Sequence, residues 1–349
     1  MSRRTLATVV VSCLVLALGC CALLLPVPYV TMSPGPTVNV LGSRGGREII
    51  DVSGHRTYPT SGDLRLTTVS VTNPTSRVGL GQAIVAWFDR TQAVYPRDVI
   101  YPPEQSASDA EQQSTVEMVG SQDTAVAAAL TELGYHLPLQ VEVLAVTKGA
   151  PADGKLQVRD RIVRVAGQPV ADADQVTKAV QASGAGKPVT VVVRRGSSTE
   201  RVELTPRASG KRAVVGVQIG TGYDFPFEVS VRLGQNIGGP SAGLMFSLGV
   251  YDTLTPGSLT GGADIAGTGT IDEDGRVGPI GGIQQKIVAA HRAGARLFFV
   301  PPGNCADALG ADLGGRDDME LVKAATMHSA VVSLRAYVAD HAARLPACR

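Results

Sequence analysis

Residues 5–25, TLATVVVSCLVLALGCCALLL, are apolar almost without interruption, and no charged residue separates Arg4 from Arg44. As a helix at ~1.5 Å per residue this run is roughly 32 Å long, enough for a hydrocarbon core of ~30 Å. Residues 26–46 are rich in Pro, Gly and small polar residues and predict an extended lead. From Gly62, GDLRLTTVSVT alternates like a strand, and SQDTAVAAALTELGY (121–135) predicts a helix ended by Gly134. Between 140 and 206 lie strand-like QVEVLAV, a short helix near DADQVTKAVQAS, and the strands KPVTVVVRRG and STERVELTP. FEVSVRLGQNI then predicts a strand ended by Gly238 and Gly239, after which Pro240 opens a helix, where its fixed φ and missing N–H cost nothing. A further helix is expected from about Gly282 to Ala293. The strand of FFVPPGN (298–304) follows, and DMELVKAATMHSAVVSLRAYVADHAARL closes the chain as strand and helix. Interleaved strands and helices of this kind predict an α+β fold.

The length of 349 residues suggests two domains and an appendage. With 32 Lys+Arg against 31 Asp+Glu, no basic block exists to neutralise a run of phosphates, so nucleic acid is not an expected partner. Arg3 and Arg4 place the N-terminus in the cytoplasm and everything after Pro26 outside. A cleaved signal peptide fits less well. The apolar run exceeds the 7–15 residues of an h-region, and PVPYVTMSPGPT offers no small-x-small cleavage site. A lipoprotein signal would need the order of LALG before Cys20 reversed. Residues 1–28 therefore read as an uncleaved signal anchor and 29–46 as a linker. Cys13, Cys20 and Cys21 fall in the apolar run. Cys305 and Cys348 are left in the exported part, where an even number of cysteines is expected to pair.

Ser241, expected in the first turn of its helix, would sit among unpaired backbone N–H groups at the positive end of the helix dipole, as a tetrahedral oxyanion requires. A nucleophilic serine needs a base. The five histidines (55, 136, 291, 328 and 341) have neither metal-type spacing nor a triad context. Only seven of the 32 basic residues are Lys, and Lys, unlike Arg, loses its proton readily when buried. Lys286 stands on the helix of PIGGIQQKIVAAHRAG with Ile283, Ile287 and Ala290 around it. Periodicity alone leaves it open between a buried base and a snorkelling surface lysine.

Two resemblances complete the reading. Ala150 through Val170 carries small-Pro-Ala, Gly-x-Leu, Asp-x-Ile and Val-x-Gly-x-Pro-Val, a pattern that resembles the PDZ domains of bacterial proteases. It departs at Val158-Arg159-Asp160, where Gly-Asp is usual, and at GYHLPL (134–139), where a Gly-rich carboxylate-binding loop is often found. IGGPSAG, with a lysine 45 residues after its serine in GRVGPIGGIQQKIVAAHRAG, resembles the Lon-type Ser/Lys peptidase domain. The resemblance implies Ser241 as nucleophile, Lys286 as general base and Thr268 as the hydroxyl that orients the lysine, with Gly239 and Ala242 supporting the oxyanion. It departs at Gly238, where ATP-dependent Lon enzymes often carry Asp. GDLRLTTV and VEMVGSQDTAVAAAL resemble the opening of the same domain, so the PDZ module is expected as an insertion: 47–135, PDZ 136–208, then 209–345. The whole resembles the bacterial membrane-anchored PDZ/Lon-like peptidases.

No G-x-x-x-x-G-K-[ST] occurs, so no ATPase is expected, and no cofactor or metal. The resemblance implies an ATP-independent endopeptidase acting on extracytoplasmic or membrane-associated polypeptides, held by their C-termini at the PDZ domain, and a hexameric ring by analogy. A trypsin-like PDZ protease is excluded by order, because Ser241 follows the PDZ segment. The alternative is an anchored, non-catalytic PDZ scaffold.

Overall fold

The computed structural model describes residues 3–102, 107–233, 237–315 and 318–348. Helix α1 (Arg3–Leu24) holds the apolar run. Its Ala7–Leu24 window has a mean hydropathy of 2.6 and none of its residues is buried, so the helix is long and apolar enough to cross a membrane. Strands β1 (Pro26–Val27) and β2 (Tyr29–Asn39) follow directly.

β2 corrects the reading of 29–46 as a linker. It lies inside a six-stranded sheet, antiparallel between β4 (Asp63–Val71) and β6 (Ala93–Pro96), with Val30 and Met32 buried. The prolines that read as breakers sit at a bulge. The register with β4 shifts between Pro34 and Thr37, where a missing N–H is tolerated. A Cβ on the intervening Gly35 would stand 2.4 Å from Thr68 Oγ1, so the close approach of the two strands requires glycine.

The sheet continues from β4 through β13 (Asp264–Gly267), β14 (Leu297–Val300) and β15 (Glu320–Lys323), all parallel. Alternation along each strand feeds two cores. Leu64, Leu66, Ile265 and Phe299 pack with Phe246 and Leu248 of α5 (Gly243–Leu254), with α3 (Ala107–Glu132) and with α7 (Met327–Ala339). Ala266, Phe298 and Val300 face the other way, onto Ile287 and Ala290 of α6 (Ile283–Arg292). Each fully buried Phe, Leu or Ile contributes ~1.5–3 kcal/mol, which fixes both helix layers on the sheet. Two short strands, β3 (Ile50–Ser53) and β12 (Glu228–Val231), pair beside it, and β5 (Val78–Gly79) pairs with β1 and leads into α2 (Leu80–Phe88). The helix expected at 121–135 spans Ala107–Glu132; its polar first half carries no apolar period by which the sequence would show it. At its other end Gly134 takes the left-handed conformation, φ +88°.

A second, antiparallel sheet has the order β10-β9-β8-β7-β11: β7 (Leu139–Val146), β8 (Arg161–Val165), β9 (Val189–Arg195), β10 (Ser198–Leu204) and β11 (Val217–Tyr223). Helix α4 (Ala173–Ser183), capped by the Asp172 carboxylate, covers a core of Val141, Val143, Ile162, Val165, Val191 and Val193. The sheet extends past residue 208 to Tyr223. GYHLPL leads into β7, an interior strand, so a peptide could add only at the outer edges of β10 or β11.

The C-terminal tail runs along β15, with Lys323 N–H bonded to the Pro346 carbonyl and Val322 bridged to Ala347. A Cys305–Cys348 disulfide holds it there. Cys13, Cys20 and Cys21 are free thiols on α1.

Candidate active site

Three segments converge where the parallel strands end. β13 stops at Gly267, opposite Leu66, while β4 runs on to Val71. The turn before α5, the loop after β13 and the first turns of α6 meet in this notch, the usual place for a site in a parallel sheet.

α5 begins at Gly243 rather than at Pro240, so Ser241 sits in the turn leading into the helix, and the expected strand before it ends at Val231. The cause is a competing acceptor arrangement. The Ser241 carbonyl takes the Gly269 N–H (2.8 Å) and the Thr268 hydroxyl (2.9 Å) instead of starting the helix, whose first bond runs from Phe246 N–H to Ala242 O. Residues 234–236 of the expected strand lie outside the described residues.

Lys286 is 3% exposed. Its Nζ is hydrogen-bonded to Ser241 Oγ (2.8 Å) and donates to Thr268 Oγ1 (3.1 Å). Because Thr268 spends its proton on the Ser241 carbonyl, its oxygen can only accept from the lysine, and this turns the remaining valence of a neutral amine toward the serine hydroxyl. Burial pulls the Lys286 pKa down from 10.5 to about 8. Lys286 is thus buried and points inward rather than snorkelling to the surface.

Further residues position these groups. Ile280 before α6 is held at both backbone atoms by the Asn304 side chain, which accepts from its N–H (2.8 Å) and donates to its carbonyl (2.9 Å). Gly282 enters α6 at φ +67°, and a Cβ there would lie 2.7 Å from Val69 Cγ1. Ser121 of α3 donates to the Pro240 carbonyl (3.0 Å), and the Ser114 carbonyl accepts the Gly239 N–H (3.3 Å). Gly239 is therefore engaged with α3, while Ala242 is buried at the mouth of α5. A Cβ on Gly238 would fall 1.9 Å from Ser114 Oγ, so a larger residue there would have to turn that hydroxyl aside. Nothing in a lone Asn or Ser announces the partner that Asn304 finds 24 residues upstream, or those that Ser114 and Ser121 find more than a hundred residues away.

A cleft of about 410 Å³ opens on the site, lined by Thr67–Val71 of β4, Met118, Ile237 to Gly239, Ser241, Ala242 and Lys286. Among the described residues no histidine approaches Ser241. His291 is bonded to Asp318, His328 to Glu132 and His55 to Tyr135, and among the described residues no cluster of His, Cys, Asp and Glu could hold a metal.

Immediately beyond Ser121, α3 meets the second sheet. The Asp123 and Glu142 carboxyls face each other in the interior with the Arg159 guanidinium 3.2 Å from Asp123. Burial, then the Asp123 charge, push Glu142 up to about 8, and burial also raises Asp123, so the pair retains a proton at neutrality. Arg159 has φ +73°, which accounts for the glycine usual at this point of the PDZ pattern. Here an arginine bears a left-handed backbone, at ~1–2 kcal/mol, and reaches α3.

Residues 235–334 match the Lon protease (S16) C-terminal proteolytic domain and residues 142–195 match a PDZ domain. Lon protease 1 of Herpetosiphon aurantiacus is 38% identical over 101 residues, 29% of this chain and 12% of that protein. Lon protease of Desulforamulus reducens is 45% identical over 69 residues, 20% of this chain and 8% of that protein. The chain thus spans only a small part of these relatives. The PDZ domain of an SdrC-like protein from Listeria monocytogenes is 20% identical, covering 23% of this chain and 86% of that structure at a TM-score of 0.22. The chain carries a Lon-type proteolytic domain, a serine peptidase module, together with a PDZ domain and one N-terminal apolar helix.

Proposed function

We propose that the protein is a membrane-anchored, ATP-independent serine endopeptidase in which Ser241 is the nucleophile and Lys286 its base. The observation that carries this reading is the 2.8 Å contact between a buried, pKa-lowered lysine and a serine at the mouth of a helix. Neutral Lys286 takes the Ser241 proton as Oγ bonds to the substrate carbonyl carbon. The oxyanion is met by the Ala242 N–H and the dipole of α5. Lys286 then gives the proton to the leaving amine as the C–N bond breaks, and a water, deprotonated the same way, hydrolyses the ester and restores Ser241. Thr268 is a positioning residue. The overhang of β4 along the cleft supports an extended substrate added as a strand, with its scissile carbonyl at Ser241.

The absence of a phosphate-binding loop in the sequence supports independence from ATP, and α1, with its arginines at the start, supports an outward-facing domain. In this reading the PDZ module is an insertion in the Lon-type domain that selects substrates by their chain ends. The test is digestion of casein without nucleotide by the full chain in detergent, beside Ser241→Ala and Lys286→Ala. Cleavage by the parent and its loss in both variants is the expected result. Cleavage by either variant at the parent's rate overturns the dyad, and dependence on ATP overturns the rest.

A further inference from the structure

Helix α2 is built inside out for a helix in water. Of its nine residues, LGQAIVAWF, only Ala83 and Ala86 are buried. Ile84, Val85, Trp87 and Phe88 are 42%, 66%, 70% and 81% exposed. Small residues thus face the protein and the largest apolar ones face outward, with Gln82 as the single polar side chain. A contiguous apolar face of this kind marks a contact surface. Tyr29 and Val94 join Trp87 and Phe88 around a shallow, almost wholly apolar hollow of about 250 Å³.

The position of α2 identifies what covers it. Its first N–H, from Leu80, bonds to the Leu25 carbonyl (2.8 Å), and β5, which leads into it, pairs with β1 directly after α1. A Cβ on Gly79 would lie 3.2 Å from the Leu23 carbonyl, and one on Gly81 3.3 Å from the Leu23 side chain. α2 therefore starts against the last turn of α1, at the height where the apolar window Ala7–Leu24 ends. Exposed Arg77 and Arg90 flank it on either side. The Asp89 carboxylate is turned back onto Thr91 (2.9 and 2.8 Å) and Gln92 (2.7 Å).

We propose that α2 is a second membrane contact, lying in the outer headgroup–acyl boundary with Trp87 and Phe88 in lipid and Arg77 and Arg90 at the phosphates. The inference rests on α1 being a membrane span. Tryptophan and flanking cations are the residues that settle at this depth, about 5–10 Å into the boundary. One helix alone would leave the outer domain free to swivel. A second contact beside it fixes the domain's height. Met32, which pairs with Val71 at one end of the catalytic cleft, is three residues along β2 from Tyr29, and Pro36 at the other end is seven. At ~3.3 Å per residue the cleft then lies within roughly 10–23 Å of lipid, which suits polypeptides that are themselves membrane-tethered.

Trp87 is the only tryptophan in the chain, so its emission reports this contact alone. The full chain is reconstituted into phosphatidylcholine/phosphatidylglycerol vesicles, with and without phosphatidylcholine brominated on the upper acyl chain. Alkaline extraction separately reports whether α1 is inserted. The expected result is alkali-resistant protein whose Trp87 emission is mostly lost in brominated vesicles, while a Val85→Asp/Phe88→Asp variant stays alkali-resistant and keeps its emission. Unquenched emission from alkali-resistant parent overturns the α2 contact and leaves the anchor standing. A blue-shifted but unquenched Trp87 assigns the face to a second protein copy and overturns it too, as does a variant quenched like the parent. Extraction of the parent by alkali removes both readings together.

Discussion

Replacing Lys286 by Met should abolish cleavage and at the same time stabilise the fold. The depression of its pKa from 10.5 to about 8 by burial corresponds to about 3 kcal/mol by which the folded state disfavours the charged lysine. Because the folded pKa is the lower one, this penalty is fully present below pH 8 and fades as pH rises from 8 to 10.5. Methionine fills similar volume without a charge but gives up the bonds to Ser241 and Thr268, at ~1 kcal/mol or less each. A net gain of about 1–2 kcal/mol at pH 7 remains, a few degrees in melting temperature at ~2–4 °C per kcal/mol. Activity of the variant should fall by ~100-fold or more, the usual contribution of a general base. In the parent, roughly one lysine in ten is neutral at pH 7, so kcat/KM should climb about tenfold per pH unit below 8 and level off above it. Thermal melts at pH 7 and pH 10.5 beside a pH–rate profile check all of this. A variant that melts well below the parent at pH 7, or a parent whose rate inflects near 10.5, would refute the argument that burial activates the lysine.

Thr268→Val keeps the shape but removes the oxygen that receives the lysine proton, and kcat/KM should drop by roughly 10- to 100-fold, mostly through kcat, as read by steady-state kinetics on a peptide substrate. The Asp123–Glu142 pair sets a second pH dependence, of opposite sign to that of Lys286. With Glu142 raised from 4.5 to about 8, the fold loses stability as pH rises through that window. Glu142→Gln should therefore flatten the melting temperature between pH 5 and pH 8. Reducing the Cys305–Cys348 bridge, which closes a separation of 43 residues, should lower stability by about 4 kcal/mol and expose the β15 edge to hydrogen exchange, measured with and without reductant.

The pieces of the site legible in the sequence were those whose chemistry is written locally. The Gly-Gly-Pro-Ser turn and the single lysine of an apolar helix are examples, and their spacing to Thr268 was carried by resemblance. The supports around them were not legible. Asn304 acts through one bidentate contact with Ile280, Ser114 through its backbone carbonyl, and neither leaves a trace in periodicity. β2 was missed because Pro34 and Pro36 signal a breaker, whereas a bulge absorbs both inside the sheet. Arg159 looked like a tolerated variation in a motif. Its φ of +73° and its reach to Asp123 make it a bridge between the two sheets' domains. The outward face of α2 is not legible in the sequence, since an apolar stretch of nine residues has the same pattern whether it faces a core or not.

The central sheet joins strands from the two ends of the chain, and this has a temporal consequence. β4 finds its parallel neighbour β13 only across 200 residues, as the bond from Thr67 to Gly267 measures. At ~5–20 residues per second the ribosome takes roughly 10–40 s to deliver the second partner after the first. Throughout that interval β4 waits as a half-formed edge while the whole five-stranded antiparallel module emerges and closes between the two halves. Once folded, that module holds the ends of its two flanking segments together. It thereby shortens the effective loop that β4 and β13 must close, so the newborn chain gains a built-in assembly jig before it gains a catalyst.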